Sequence, residues 1–279
     1  MSAHPAHRLI WFLLWRSGRQ PSIVSRSASE QGLTIMECLV AVMLIVITIA
    51  MVAPPLVLAT ATRVQNRRAE QALQVAQGEV DRIRALVSTG QHAPASLPAS
   101  VAGATAGTLA SVAAPTQIDA RLRSLNPTGT ECSNRFDPNS SPPAVAVNAA
   151  LPIDVDGDCV PEYLMQIFRT PGLVSRSEGA TGQQSRPSEF DIGIRVYPIQ
   201  AAENFSPQAS RNALTLPNDL RTEPAQLQLT SGTLRKRPLA AFYTKLVWTE
   251  ERTSLCSFFS QADRQRIASC SSVFPAGSP

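Results

Sequence analysis

A chain of 279 residues has room for one or two domains, and with aromatic residues at only 5% any core must be built mostly from aliphatic side chains. The net charge is +4, and the first 32 residues carry +3 of it (Arg8, Arg16, Arg19 and Arg26 against Glu30). The nearly neutral remainder lacks the basic face that a general nucleic-acid binder needs, so no nucleic-acid partner is expected.

The basic segment leads into an apolar run. From Leu33 to Ala53 the sequence reads LTIMECLVAVMLIVITIAMVA, 21 residues with one charge, Glu37. As a helix it would span about 32 Å, close to the roughly 30 Å of a bilayer core. The basic flank keeps that end in the cytoplasm. The run is longer than the apolar part of a signal peptide, and Pro54-Pro55 follows it in place of a small-residue cleavage site. A retained membrane helix over residues 33–53 is therefore predicted. A carboxylate inside such a helix costs about 2.5–3.5 kcal/mol at its centre and less near an end. Glu37 is near the cytoplasmic end, either snorkelling to the interface or forming half of an ion pair.

Gly32 followed by Leu33-Thr34-Ile35-Met36-Glu37 and an apolar helix resembles the N-terminal signal of type IV pilins and pseudopilins. The resemblance implies that a prepilin peptidase cuts after Gly32, leaving residues 1–32 as a leader, and N-methylates Leu33. It also implies that Glu37 pairs with the N-terminal amine of a neighbouring subunit. Physical chemistry agrees, because an amine freed inside an apolar filament core needs a countercharge, and the pair would set the axial register. Pro54 falls where many pilins kink the long helix. Pro55 is a departure that would widen the kink or melt a turn. Leu33 stands where phenylalanine is commoner. The apolar LIWFLLW (Leu9–Trp15) inside the leader reads as a membrane-surface segment or as the sign of a start farther downstream. The implied location is the inner membrane, single-pass, with the C-terminal domain periplasmic and later carried to a filament at the cell surface. The implied partners are the peptidase, other pilin or pseudopilin subunits, the inner-membrane assembly platform and membrane lipid.

Residues 54–90 read as a continuing amphipathic helix, with Leu73, Ala76, Val80, Ile83 and Val87 as an apolar stripe, Glu79 and Arg82 as an i,i+3 pair, and Gly90 as the stop. Residues 91–120, rich in Ala, Pro, Ser and Thr, read as a loop or weakly ordered linker with room for a short helix. Residues 121–279 are β-rich. Candidate strands are Tyr163–Thr170, Phe190–Tyr197 (Phe190, Ile192, Ile194 and Val196 on one face), Gln226–Thr230 and Leu239–Glu250. The predicted class is α+β, a long N-terminal helix packed on a C-terminal antiparallel sheet as in pilins.

Five cysteines are present, one of them (Cys38) in the apolar run. Cys132, Cys159, Cys256 and Cys270 form an even set in an exported region, which points to two disulfides. Three pairings are open, the sequential one closing the shortest loops, and four reduced buried thiols are the alternative. The segment DVDGDCVPE (Asp154–Glu162) places Asp154, Asp156 and Asp158 on alternate positions, with a Val160 carbonyl and Glu162 following. Calcium takes six to eight oxygens on a turning loop, and the pattern resembles the D-x-D-G-D-G-x-x-D loops of calcium-binding repeats. Cys159 stands where glycine usually makes the sharp turn. A solvated acidic turn is the alternative.

Enzymatic chemistry finds few parts. The histidines are His4, His7 and His92, none within 121–279, and there is neither a P-loop nor a G-x-G-x-x-G. Arg235–Arg237 reads as a solvated turn, or as a contact for DNA or acidic polysaccharide. The expected function is that of a minor pilin or pseudopilin, a structural subunit of a filament serving motility, adhesion or secretion. The phrases FDIGIRVY and FYTKLVW resemble cyanobacterial pseudopilins linked to hormogonium polysaccharide secretion. The alternatives are a type II secretion pseudopilin and a membrane-anchored periplasmic calcium-binding module that never assembles.

Overall fold

A computed structural model describes residues 34–126, 132–137, 145–175, 178–179, 185–206, 214–225, 234–248, 256, 259 and 261–271. The leader, Gly32, Leu33 and the candidate strand 226–230 lie outside the described residues. The chain divides into two units, one ending at Leu58 and the other starting at Ala59.

The first unit contributes the opening half of α1 (Ile35–Ser88), a 54-residue helix. Thr34 opens it, its hydroxyl accepting the Glu37 N–H at 3.3 Å, and Thr34-x-x-Glu37 has the form of a capping box. A carboxylate in the first turn also complements the positive end of the helix dipole. Every residue from 35 to 58 is exposed, among them Leu39, Val42, Leu44, Ile45 and Ile49. The one hydroxyl in the 35–53 stretch, Thr48, bonds back to the Ile45 carbonyl, so it does not interrupt the apolar surface. The helix is long and apolar enough to cross a membrane. It continues through Pro54 and Pro55, so the melted turn expected at the double proline does not form.

In the second unit, α1 buries Ala72, Val75, Ala76, Glu79, Val80, Ile83 and Val87. Leu73, expected in the stripe, is 40% exposed, because the buried arc is centred one residue earlier, on Ala72 and Ala76, whose small side chains allow close approach to the sheet. The helix ends at Gly90, which takes φ +68°, while the Gln91 N–H bonds to the Leu86 carbonyl in a left-handed C-terminal cap.

Seven strands form one mixed sheet: β1 (Gln117–Ile118), β2 (Arg123–Ser124), β3 (Ala149–Asp154), β4 (Tyr163–Arg169), β5 (Leu173–Val174), β6 (Pro187–Pro198) and β7 (Ala240–Val247). β6 is the hub, antiparallel to β4 over 192–198, to β7 over 189–196 and to the short β5. The expectation of a wholly antiparallel sheet needs correction, because β1 and β2 both run parallel to β3. Parallel pairing needs a connection of about a dozen residues or more, and 24 residues, 125–148, separate β2 from β3 in the sequence.

One face of the sheet packs under α1. Leu151, Ile153, Met165, Ile167, Phe190, Ile192, Ile194, Val196, Leu246 and Trp248 join the helix residues in a single core. The other face carries Ala150, Leu164 and Tyr197, covered by Ile199, Leu214, Leu216 and Leu220. β3 and β4 are thus buried along their whole length.

The segment 91–120 is a loop with two short 3-10 helices, Pro94–Ser96 and Leu109–Ser111, as one expectation had it, but it is packed and not weakly ordered. Leu97 and Leu109 are buried, and Ala99 and Val101 exchange backbone bonds with Arg169. Two buried arginines fasten the segment. Arg169 donates to the Pro98 carbonyl at 2.9 Å. Arg195 donates to Ala110 at 2.8 Å and Val112 at 2.7 Å. Arg195 points away from the α1 face, since its neighbours Ile194 and Val196 point toward it. Its guanidinium lies over the Phe168 ring at 5.0 Å, and that ring lies close against Gly193, where an added Cβ would meet it at 2.5 Å. Low charge and many small residues let this segment lie flat; its backbone carbonyls are the acceptors the arginines need.

His92, placed by sequence outside the β-rich part, is fully buried against it, its ring edge-on to Trp248 at 4.7 Å. Burial, with Arg186 nearby, holds its pKa below the usual histidine value. Arg186 stacks on Trp248 at 4.6 Å, pairs with Glu178 at 2.6 Å and donates to the Gly90 carbonyl at 2.7 Å. The same cluster therefore ties the end of α1 to the start of β6 and the end of β7.

Glu79 also differs from expectation. It is 3% exposed and pairs with both Arg82, at 2.6 Å, and Arg123 on β2. The expected i,i+3 pair forms, but as part of a buried charge cluster joining helix to sheet, and such a cluster is costly to break.

Candidate functional site

The acidic loop is the turn between β3 and β4. It starts at Asp154, the last residue of β3, and ends at Glu162, just before β4. Backbone N–H groups hold each of its carboxylates. Asp154 accepts from Gly157 at 2.7 Å and from Cys159 at 3.2 Å. Asp156 accepts from Asp158 at 3.3 Å, and Asp158 accepts from Val160 at 2.7 Å. Glu162 reaches back across the loop to the Val155 N–H at 2.7 Å. The turn needs two left-handed residues, Gly157 at φ +90° and Cys159 at φ +69°. Glycine takes that conformation freely; for cysteine it costs about 1–2 kcal/mol.

The structure brings four of the predicted residues together. Asp154, Asp156, Asp158 and Glu162 each offer an oxygen, all within 4.8 Å of one another. Calcium–oxygen bonds of about 2.3–2.6 Å put ligands on opposite sides of the ion about 5 Å apart, so this donor set fits a calcium-sized cation. Val160, expected to offer its carbonyl, also holds the loop through its N–H.

Electrostatics run the same way. Burial, offset by the Val155 N–H and reinforced by Asp156, Asp154 and Asp158, pushes the Glu162 carboxyl up to about 7. Above the ordinary carboxylate pKa and up to about 7, the folded loop keeps a proton that the unfolded chain has released. Stability contributed by Glu162 therefore falls as pH rises through that window. A divalent cation would replace the proton and remove the repulsion.

Both disulfides form between sequential cysteines, Cys132–Cys159 and Cys256–Cys270. The first anchors the loop at its strained residue. With both sulfurs oxidised, Cys132 and Cys159 offer no thiolate beside Asp154, so the oxygen set is the chemically relevant one. The second holds Cys256 to the short helices α2 (Gln261–Arg266) and α3 (Ala268–Ser271), with Leu173 packed against it.

Of the predicted assembly residues, Glu37 is exposed in the first turn of α1 and Pro54 lies within the helix. Gly32 and Leu33 lie outside the described residues. Cys38 is an exposed free thiol.

Sequence reasoning missed Arg195, Arg169 and His92. The signal available for Arg195 was its place in FDIGIRVY, out of phase with the four apolar residues, which reads equally well as a solvent-facing position. Comparison with protein-family models, with curated proteins and with solved structures finds no match.

Proposed function

We propose that this chain is a minor pilin or pseudopilin, a structural subunit held in the inner membrane by α1 and then built into a filament. Its work is assembly, and no catalytic step is assigned to it. The observation that carries this reading is the division of labour along one helix. Residues 35–58 are exposed throughout and apolar except for Glu37 and Thr48, whereas the buried arc between Ala72 and Val87 belongs to the core of a folded domain. An apolar surface of that length needs lipid or other subunits to cover it. Glu37 at its start would neutralise the amine that cleavage after Gly32 exposes on a neighbouring subunit.

Mass spectrometry of the protein from native membranes should find a mature chain starting at N-methylated Leu33. A chain that keeps the leader, or starts elsewhere, sinks the reading. Glu37→Ala should still be cut and should remain in the membrane, while its incorporation into filaments falls by roughly tenfold or more, the loss of one buried charge pair. Wild-type incorporation of Glu37→Ala would leave a membrane anchor with no docking carboxylate.

The acidic loop is the calcium site of this subunit, on the strength of its four converging carboxylates. Saturating calcium should raise Tm by roughly 5–10 °C over a chelator at pH 8. The Asp156→Asn/Asp158→Asn variant should lose the increment. Equal Tm values in calcium and chelator would dispose of the site.

A further inference from the structure

Beside the acidic loop is a cavity of about 210 Å³. Three parts of the chain wall it: Arg68 and Gln71, a helical step apart on α1; Glu162 and Tyr163, where the loop enters β4; and Gln200 and Phe205, beyond the end of β6. Two of its polar groups, Gln71 and Glu162, are held in place before any ligand arrives. The Tyr163 hydroxyl donates to Gln71 Oε1 at 2.9 Å, which leaves the Gln71 amide N–H groups to serve a ligand. The Val155 N–H fixes Glu162 through one carboxylate oxygen, and with no cation in the loop the other can accept from a ligand. The Arg68 side chain forms no ion pair with any described residue.

The charges decide what fits. A simple anion would be drawn to Arg68 but repelled by Glu162 and the aspartates behind it. A simple cation would meet Arg68 in the cavity and find its better site in the acidic loop. A neutral ligand dense in hydroxyls meets neither penalty. Each hydroxyl both donates and accepts, so it can donate to Glu162 and accept from Arg68, Gln71 and Gln200. Phe205 adds an aromatic face for the C–H side of a ring. The volume is below the roughly 300–1,000 Å³ of sites for drug-sized ligands, so the occupant is about one ring.

We propose that this cavity binds a single neutral hexose unit of a saccharide, with Arg68, Gln71, Glu162 and Gln200 on the hydroxyls and Phe205 on the ring face. The site does not depend on the subunit joining a filament. The full chain, in a detergent with no sugar headgroup, freed of calcium and at pH 8 so that the acidic loop is charged, is titrated with methyl glycosides of glucose, galactose and mannose, followed by saturation-transfer NMR. Inorganic phosphate and glycine are the anionic and zwitterionic controls. At least one glycoside should bind with millimolar Kd and the controls should not, and Phe205→Ala and Gln71→Ala should each weaken binding roughly tenfold, as expected for one lost contact of this kind. Phe205 also packs on the second core. Should Phe205→Ala unfold, the exposed Gln71→Ala and Arg68→Ala variants carry the test. No glycoside binding, glycoside binding that the folded variants leave unchanged, or binding of phosphate or glycine in its place would overturn the proposal.

Discussion

Arg195→Leu is expected to destabilise the sheet-bearing unit by about 3 kcal/mol and to release the segment 91–116 first. Arg195 is fully buried and makes no ion pair with any described residue. Its charge is spread over acceptors: the carbonyls of Ala110 and Val112, Gln166 Oε1 at 3.2 Å, and the Tyr243 hydroxyl at 2.9 Å, with Phe168 beneath. Two effects oppose one another on substitution. Removing the charge recovers several kcal/mol of desolvation cost. Leaving three or four acceptors unpaired costs about 1–3 kcal/mol each, and the second effect wins. Leucine also fills less of the space between Phe168 and Tyr243. Urea unfolding measures the loss, and limited proteolysis should cut within 91–116 well before the sheet. Arg195→Lys keeps the charge but cannot fork to carbonyls on two sides, so it should fall between the two. A leucine variant with wild-type stability and a protected segment would show that the guanidinium merely fills space.

The second large effect belongs to the Cys132–Cys159 disulfide. Cys132→Ser/Cys159→Ser should lose about 3 kcal/mol, because the bond closes a loop with a sequence separation of 27 residues and restricts the unfolded chain. A separate cost sits at the same position and does not come from the bond itself. Position 159 lies at φ +69°, a conformation any L-residue adopts at a cost, and the serine variant inherits it if the turn keeps its shape. Cys132→Ser/Cys159→Gly should therefore recover about 1 kcal/mol relative to the double serine variant. Non-reducing urea denaturation of both variants separates chain entropy from backbone strain. Equal stabilities for the two would mean that the turn relaxes out of the left-handed region once the bond is gone.

Locally periodic features were legible in the sequence. The apolar length of 33–53 specified a helix of membrane thickness, because rise per residue is a property of the backbone alone. Gly90 ended α1 where expected, since φ +68° suits glycine in any context. The candidate strands 163–170, 190–197 and 239–250 correspond to β4, β6 and β7. The acidic loop was legible because its carboxylates lie within nine residues of one another.

What escaped was whatever depends on partners far along the chain. β3, with the sequence AALPID, is buried on both faces, so it has no polar alternation to betray it. The parallel pairings of β1 and β2 join strands of two residues each, too short to show any periodicity, to β3 more than twenty residues on. A proline- and alanine-rich stretch looked like a linker because its tertiary bonds are made by its carbonyls, which every sequence has, to Arg169 and Arg195 more than seventy residues away. Glu79 looked like a surface charge until Arg123 reached it across 44 residues. Sequence by itself determined the elements whose physics is local: the apolar helix, the strands with a half-polar pattern and the carboxylate-bearing turn. Tertiary structure alone decided which charges are buried and what satisfies them, because the cost of a buried charge depends on which distant groups surround it.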